Sequence, residues 1–218
     1  MSPLRWGSKI MKDKIIFALK WFYKSYIWLF IVLLGLDIVT KQIVLSLRDT
    51  VNADGHIAEW GFVNIGFVLN YNAAFGLGAD GTETGHLISR VVYLIVASLA
   101  AIGIATYLII KRKSTGLYIR ACLIMIISGA VGNMIDRIFY GPEYAVVDWI
   151  DFWWFWDYNF NIADSCIVVS AFMLIIYIIV NEVKEMIKRR NEELQVEQAK
   201  DSSDKKEDEA ENSDSEIK

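Results

Sequence analysis

Val91-Val92-Tyr93-Leu94-Ile95-Val96-Ala97-Ser98-Leu99-Ala100-Ala101-Ile102-Gly103-Ile104-Ala105-Thr106-Tyr107-Leu108-Ile109-Ile110 runs for twenty residues without a charge, between Arg90 and Lys111-Arg112-Lys113. Wound as a helix at ~1.5 Å per residue, it is ~30 Å long, the thickness of a bilayer's hydrocarbon core. Three further stretches repeat the pattern. Ala121–Ile135 is uncharged between Arg120 and Asp136 and extends naturally from Leu117 to about Phe139. Ser165–Asn181 is uncharged up to Glu182, and the first span, Ile27 to about Leu45, contains Asp37 and Lys41. The reading is a mainly α membrane protein with four transmembrane helices.

Composition agrees. Of 218 residues, 55% are hydrophobic, with eight Trp, ten Tyr, eleven Phe and two Pro. The formal charge of -4 is unevenly spread, because Asn191–Lys218 carries eleven acids and four lysines, leaving 18 bases and 15 acids before it. A disordered chain, a disulfide-rich secreted module, an ordinary soluble enzyme and a nucleic-acid binder are excluded. Cys122 and Cys166 both sit in apolar runs, so no structural disulfide is expected. His56 and His86 read as solvated loop residues. No His-x-x-x-His or Cys-x-x-Cys spacing exists, so neither a metal nor a cofactor is expected.

Basic residues set the expected sidedness. Arg5, Lys9, Lys12, Lys14, Lys20 and Lys24 precede the first span; Lys111, Arg112, Lys113 and Arg120 join the second to the third; Lys184, Lys188, Arg189 and Arg190 follow the fourth. The other two connections carry one base, Arg48, between them. Both termini are therefore expected in the cytoplasm. The domain plan is an N-terminal cytoplasmic or interfacial segment (1–26), a four-helix membrane domain (27–183) and a charged, disordered cytoplasmic tail (184–218). The first apolar run is longer than a signal's h-region and contains Asp37, so no cleavable signal is expected, and Ile15–Tyr23 reads as an interfacial lead-in. In the first outer connection, Phe62–Tyr71 alternates Ile65, Phe67, Leu69 and Tyr71 on one side, which predicts a small extracytoplasmic β element at about 50–80. Ala145–Tyr158 is dense in aromatics and suits the interface.

Charges inside a bilayer cost several kcal/mol unless paired or hydrated, which makes them functional candidates. Asp37 and Lys41 share a helical face at i,i+4 and read either as a structural ion pair or as support for a site. Asn133, Asp136 and Arg137 end the third span, Asp148 and Asp151 follow, and Asn161 and Asp164 open the fourth. With helices one and three running outward and four returning, all of these converge on one outer layer. Serine catalysis lacks a base at that depth. Paired carboxylates remain: two close aspartates cannot both ionise cheaply, so one activates a water while the other donates to the scissile carbonyl. Asp164, in a first helical turn, suits the ionised member. Spacing leaves Asp136, Asp148 and Asp151 all open as its partner. A proton or ion relay through Asp37, Lys41 and Asp136 in a small transporter is a competing class, as is a non-catalytic assembly factor.

Five ordered blocks carry a resemblance. Asp37-Ile38-Val39-Thr40-Lys41, Asn70-Tyr71-Asn72-Ala73-Ala74-Phe75-Gly76, Gly132-Asn133-Met134-Ile135-Asp136-Arg137, Val146-Val147-Asp148-Trp149 and Phe160-Asn161-Ile162-Ala163-Asp164-Ser165 resemble the motif blocks of the lipoprotein signal peptidase (signal peptidase II) family, over residues 27–181. The resemblance implies an aspartic endopeptidase of the bacterial cytoplasmic membrane, working near its outer face. Such an enzyme removes signal peptides from diacylated prolipoproteins, cutting before a diacylglyceryl-modified Cys. It implies Asp148 and Asp164 as the catalytic pair. Asp37, Lys41, Asn70, Asn133, Asp136, Arg137, Asn161 and Ala163 then support the site or touch substrate. It further implies a monomer whose partners are prolipoproteins and membrane lipid, and a short interfacial helix in the aromatic third connection. Asn72 stands where the family usually has Gly, Trp149 replaces a common Phe, and Gly141-Pro142-Glu143 lengthens the loop before Asp148.

Overall fold

The computed structural model describes residues 3–72, 82–140, 144–154 and 156–215. Two units divide the chain, Met1–Phe172 and Met173–Lys218. In the first unit, α1 (Pro3–Ser25) is followed by α2 (Ile27–Ser46), with a left-handed Tyr26 between them (φ 60°). A single 3-10 turn at Arg48–Thr50 leads to β1 (His56–Glu59) and β2 (Asn64–Asn70), then α3 (Glu83–Ile110) and α4 (Leu117–Ile135). A π-type turn at Asp136–Tyr140 prolongs α4, β3 (Val146–Asp151) follows, and α5 begins at Ile162.

Four helices are long and apolar enough to cross a membrane: Ile27–Ser46, Glu83–Ile110, Leu117–Phe139 and Ile162–Glu197. Their apolar side chains mostly point away from the protein, since only 6% of the α3 window is buried inside it, against 33% for α4. α4 is therefore the inner helix, touching both α2 and α3. Its contact face is made of small residues. A Cβ at Gly129 would land on the Ala163 carbonyl, and one at Gly132 would meet the Asp37 carboxylate at 2.5 Å. Lipid tails give apolar side chains no reason to prefer a neighbouring helix, so close approach of small residues and polar bonds hold such a bundle together. α2 shows the inverted pattern directly: its buried residues are Asp37, Lys41 and Val44.

The β element is a three-stranded antiparallel sheet in the order β1-β2-β3. On β2, Ile65, Phe67 and Leu69 are half-buried, and Tyr71 lies past the strand with its ring stacked on His86 at 4.5 Å. The third strand corrects the expectation of a short interfacial helix in the aromatic connection. Val146-Val147-Asp148-Trp149-Ile150-Asp151 pairs with β2 from Asn70↔Val146 to Asn64↔Asp151, with a register slip between Ile65 and Val68. β-branched and aromatic residues fit a pleated surface better than a helix, and the open edge of β2 supplies the partner. Residues 153–154 form a turn and 157–158 a bend, with Phe160 bridged to Ile150.

Other boundaries also move. α3 starts at Glu83, ahead of its apolar run, because the Thr82 hydroxyl caps Gly85 N at 3.0 Å. α1 extends well beyond the expected lead-in. In the second unit, α5 continues as helix to Ser215, where a disordered tail was expected. Glu, Lys, Gln and Ala favour helix, and Lys188–Glu192 (4.0 Å) and Arg190–Glu193 (3.7 Å) add surface pairs. Ala73–Gly76 of the second motif block, the glycines at 78 and 81, the Gly141–Glu143 insertion and Phe155 lie outside the described residues.

Candidate active site

Asn161 organises the site. It is the residue before α5, and its Oδ1 accepts from the Asp164 backbone N–H at 2.8 Å, as an N-cap does. Its Nδ2 donates to Asp148 Oδ1 at 2.6 Å and to Asn133 Oδ1 at 3.2 Å. One fully buried amide thus caps the helix that carries Asp164 and holds the strand that carries Asp148. Asn70, at the end of β2, donates from Nδ2 to Asp148 Oδ2 at 2.8 Å, and its own Oδ1 accepts from Asn72 N at 3.0 Å. Asp148 therefore has an amide donor on each oxygen. Asn133, on α4, donates to Asp164 Oδ1 at 2.7 Å.

Behind the two carboxylates lies a layer built on Lys41. Its Nζ is 2.7 Å from Asp37 Oδ2, 2.9 Å from Asn133 Oδ1 and 2.7 Å from Asp136 Oδ2, the last at ion-pair distance without hydrogen-bond alignment. Asp37 Oδ1 in turn accepts from Ala163 N at 2.8 Å, satisfying a second N–H of the first α5 turn. Lys41, Asp37 and Asp136 are each at most 3% exposed. The pairing reading of Asp37 and Lys41 is what the geometry displays, with a third member, Asp136, from another helix. Ala163 packs its Cβ toward Gly132. Arg137 donates to the carbonyls of Asn133 (3.2 Å) and Asn72 (2.8 Å), and its guanidinium lies 4.0 Å above the centre of the Tyr93 ring.

The three aspartates that spacing left open as partners of Asp164 now differ. Asp136 is paired with Lys41, and Asp151 lies 2.7 Å from His56 Nε2. Among the described residues, Asp148 alone of the three has no lysine, arginine or histidine nitrogen within 4 Å and is held by neutral amides. Burial, and then the negative charge of Asp164, push the Asp148 carboxyl up to about 7, against the pull of the Asn70 and Asn161 hydrogen bonds. All ten candidate residues, Asp37, Lys41, Asn70, Asn133, Asp136, Arg137, Asp148, Asn161, Ala163 and Asp164, fall into this one connected set.

Some of it was not legible in the sequence. The Tyr93 ring beneath Arg137 sits in the middle of an ordinary apolar span, and only its i+4 spacing from Ser89 hints at an inward face. His56 is no solvated loop residue: it sits on β1 with its side chain 16% exposed, between Asp151 and Glu59 (Nδ1–Oε1 3.4 Å). His86 is half-buried in the first turns of α3.

Fold and site together define a multi-pass membrane hydrolase with buried carboxylates at the start of its last span. The family model described as "Signal peptidase (SPase) II" matches residues 29–180, and the chain belongs to that peptidase family of bacterial membrane proteins. It is 37% identical to the lipoprotein signal peptidase of Clostridioides difficile, over 73% of this chain and 97% of that one. It is 36% identical to the lipoprotein signal peptidase of Symbiobacterium thermophilum, over 71% and 93%. Two solved bacterial membrane enzyme structures share the fold. One has a TM-score of 0.58 at 25% identity, covering 72% of this chain and 89% of its own; the other has 0.56 at 26%, covering 71% and 92%.

Proposed function

We propose that this peptidase removes signal peptides from prolipoproteins, cutting before a diacylglyceryl-modified Cys, with Asp148 and Asp164 as its catalytic pair. The observation that carries the pair is that Asp148 and Asp164 are bound to one amide network while Asp136 is paired with Lys41 and Asp151 is bonded to His56. A carboxyl raised to about 7 keeps its proton below neutral pH and in about half of the molecules near pH 7, which suits Asp148 to donate to the scissile carbonyl oxygen. Asp164, at the positive end of α5 and accepting from Asn133, suits the base that takes a proton from the attacking water. The water oxygen adds to the carbonyl carbon and gives a tetrahedral diol. The proton on Asp164 then passes to the departing amine of the Cys as the C–N bond breaks, a diol hydroxyl returns its proton to Asp148 as the new carboxyl forms, and the pair again holds one proton.

Asp37, Lys41 and Asp136 hold α2, α4 and α5 in register behind the pair, and Asn70, Asn133, Asn161, Ala163 and Arg137 position it or meet the substrate backbone. Basic flanks support cytoplasmic termini and a site near the outer face. The acyl chains of the substrate would lie in the bilayer, each buried methylene contributing ~0.8 kcal/mol.

The test is cleavage of a diacylated peptide by purified protein in detergent micelles. Asp148→Asn and Asp164→Asn are each expected to reduce turnover by about 10²–10⁴-fold or more, the usual weight of an acid or base, with folded protein retained. Substantial turnover by either variant sinks the dyad, and equal rates for the diacylated and free-Cys peptides sink the substrate class.

A further inference from the structure

α1 has no role in the site above, lies outside the family match, and is not among the helices apolar enough to span. It nevertheless leaves large apolar side chains uncovered: Met11 is 64% exposed, Ile15 52% and Phe17 72%. At 100° per residue Met11, Ile15 and Phe22 share one side, while Asp13, Lys20 and Lys24 share the other, with Lys12 at the edge between them. Lys14, Ile16 and Phe17 are the exceptions. Over Pro3–Ser25 the helix carries six bases and one acid.

Its junction with the first span is built rather than loose. Tyr26 takes the left-handed conformation and ends α1 one residue before α2 begins. Three carbonyls freed at the end of α1 are answered: Phe22 O accepts from Ser25 Oγ at 2.8 Å, Tyr23 O from Trp28 Nε1 at 3.2 Å, and Lys24 O from Arg120 Nη1 at 2.9 Å. Tyr23 and Tyr26 both stack on Trp28, at 6.3 and 6.2 Å. Aromatic rings of this kind gather where a span leaves the hydrocarbon. The helix therefore changes direction at the headgroup level, with an apolar side and a basic side to place there.

We propose that α1 is an in-plane anchor on anionic lipid, its Met11–Phe22 face sunk into the cytoplasmic leaflet and its lysines among acidic headgroups. The assignment of the leaflet rests on the cytoplasmic placement of the N-terminus proposed above. Charge decides the occupant: a zwitterionic surface would answer the apolar face alone, whereas six bases against one acid call for a negative one.

The test uses the full chain in proteoliposomes, with spin labels placed one at a time through Met11→Cys, Ile15→Cys and Phe22→Cys on one face, and Asp13→Cys, Lys20→Cys and Lys24→Cys on the other. Cys122 and Cys166 are buried, so the unsubstituted chain serves as the labelling control. In vesicles containing phosphatidylglycerol, the first three labels are expected to collide with oxygen and the second three with a water-soluble nickel chelate. The contrast should fall at least about twofold in vesicles of phosphatidylcholine alone, or when Lys12, Lys20 and Lys24 are all changed to Gln, since each base contributes roughly a fivefold preference near an anionic surface. Uniform access to the chelate in the anionic vesicles overturns the proposal, and so does an equal contrast in both lipids. Impermeant maleimide reaching Lys20→Cys from outside intact cells overturns the cytoplasmic leaflet, and it does so independently of the depth pattern.

Discussion

Lys41 is the residue on which the buried polar layer depends. Its ammonium stands between Asp37 and Asp136, and each carboxylate would otherwise face the other without solvent. Breaking a buried ion set by removing one member leaves an unmatched charge, which typically costs about 3–5 kcal/mol. Lys41→Ala is expected to lower the unfolding midpoint in detergent accordingly, and Lys41→Ala with Asp136→Asn should recover part of the loss; an unchanged midpoint in the single variant would show that the layer is not coupled to folding. Asn70 gives a subtler prediction. Its hydrogen bond favours the ionised form of Asp148, so Asn70→Ala should raise that carboxyl beyond about 7. The alkaline limb of kcat/KM would then move to higher pH, and a shift to lower pH would contradict the assignment. The sign for stability follows the same shift. Because Asp148 is held above its ordinary 3.8, its contribution is complete at acid pH and is lost as pH rises through about 7.

At the scale of elements, the meeting of α4 with the first turn of α5 determines where Asp164 stands. Gly129 faces the Ala163 carbonyl so closely that any side chain must displace backbone, and Ile167 Cγ1 lies only 2.8 Å from the same position. Gly129→Ala is expected to destabilise the chain by about 1–3 kcal/mol and to reduce turnover beyond that loss, since the displaced turn carries Asp164. Gly35, with open space around it, is the control: Gly35→Ala should leave the rate unchanged. Cleavage by Gly129→Ala at the wild-type rate would mean that the turn can shift without moving the carboxylate. The sheet has a comparable task, because β3 brings Asp148 beside Asn70 only in the register that pairs Val68 with Asp148.

For the whole molecule, the region matched by the family ends at residue 180, and the acidic stretch after Asn191 lies beyond it. The described ion pairs that reach this stretch, Lys188–Glu192 and Arg190–Glu193, stay within the same helix. Deleting residues 191–218 is expected to leave insertion and cleavage intact, measured by membrane fractionation and peptide turnover. A truncated chain that inserts and cannot cleave would show that the tail acts on the site.

How much was legible follows from the range of each signal. Four spans could be read directly, because a twenty-residue apolar window between charges is a local property, and the motif blocks marked the ten candidate residues by type and order, though not Tyr93. The sequence by itself determined that this chain is a four-span membrane protein of the signal peptidase II family. It could not say which aspartate is held by amides alone. That depends on Lys41 of one helix reaching Asp136 of another, and on His56 of β1 reaching Asp151 of β3, pairings between residues far apart in the chain. Nor could it show that the aromatic connection is a strand, since Val146–Asp151 becomes one by pairing with β2. Only the tertiary structure decided these points, because a buried charge takes its state from whichever neighbours the fold brings within bonding distance.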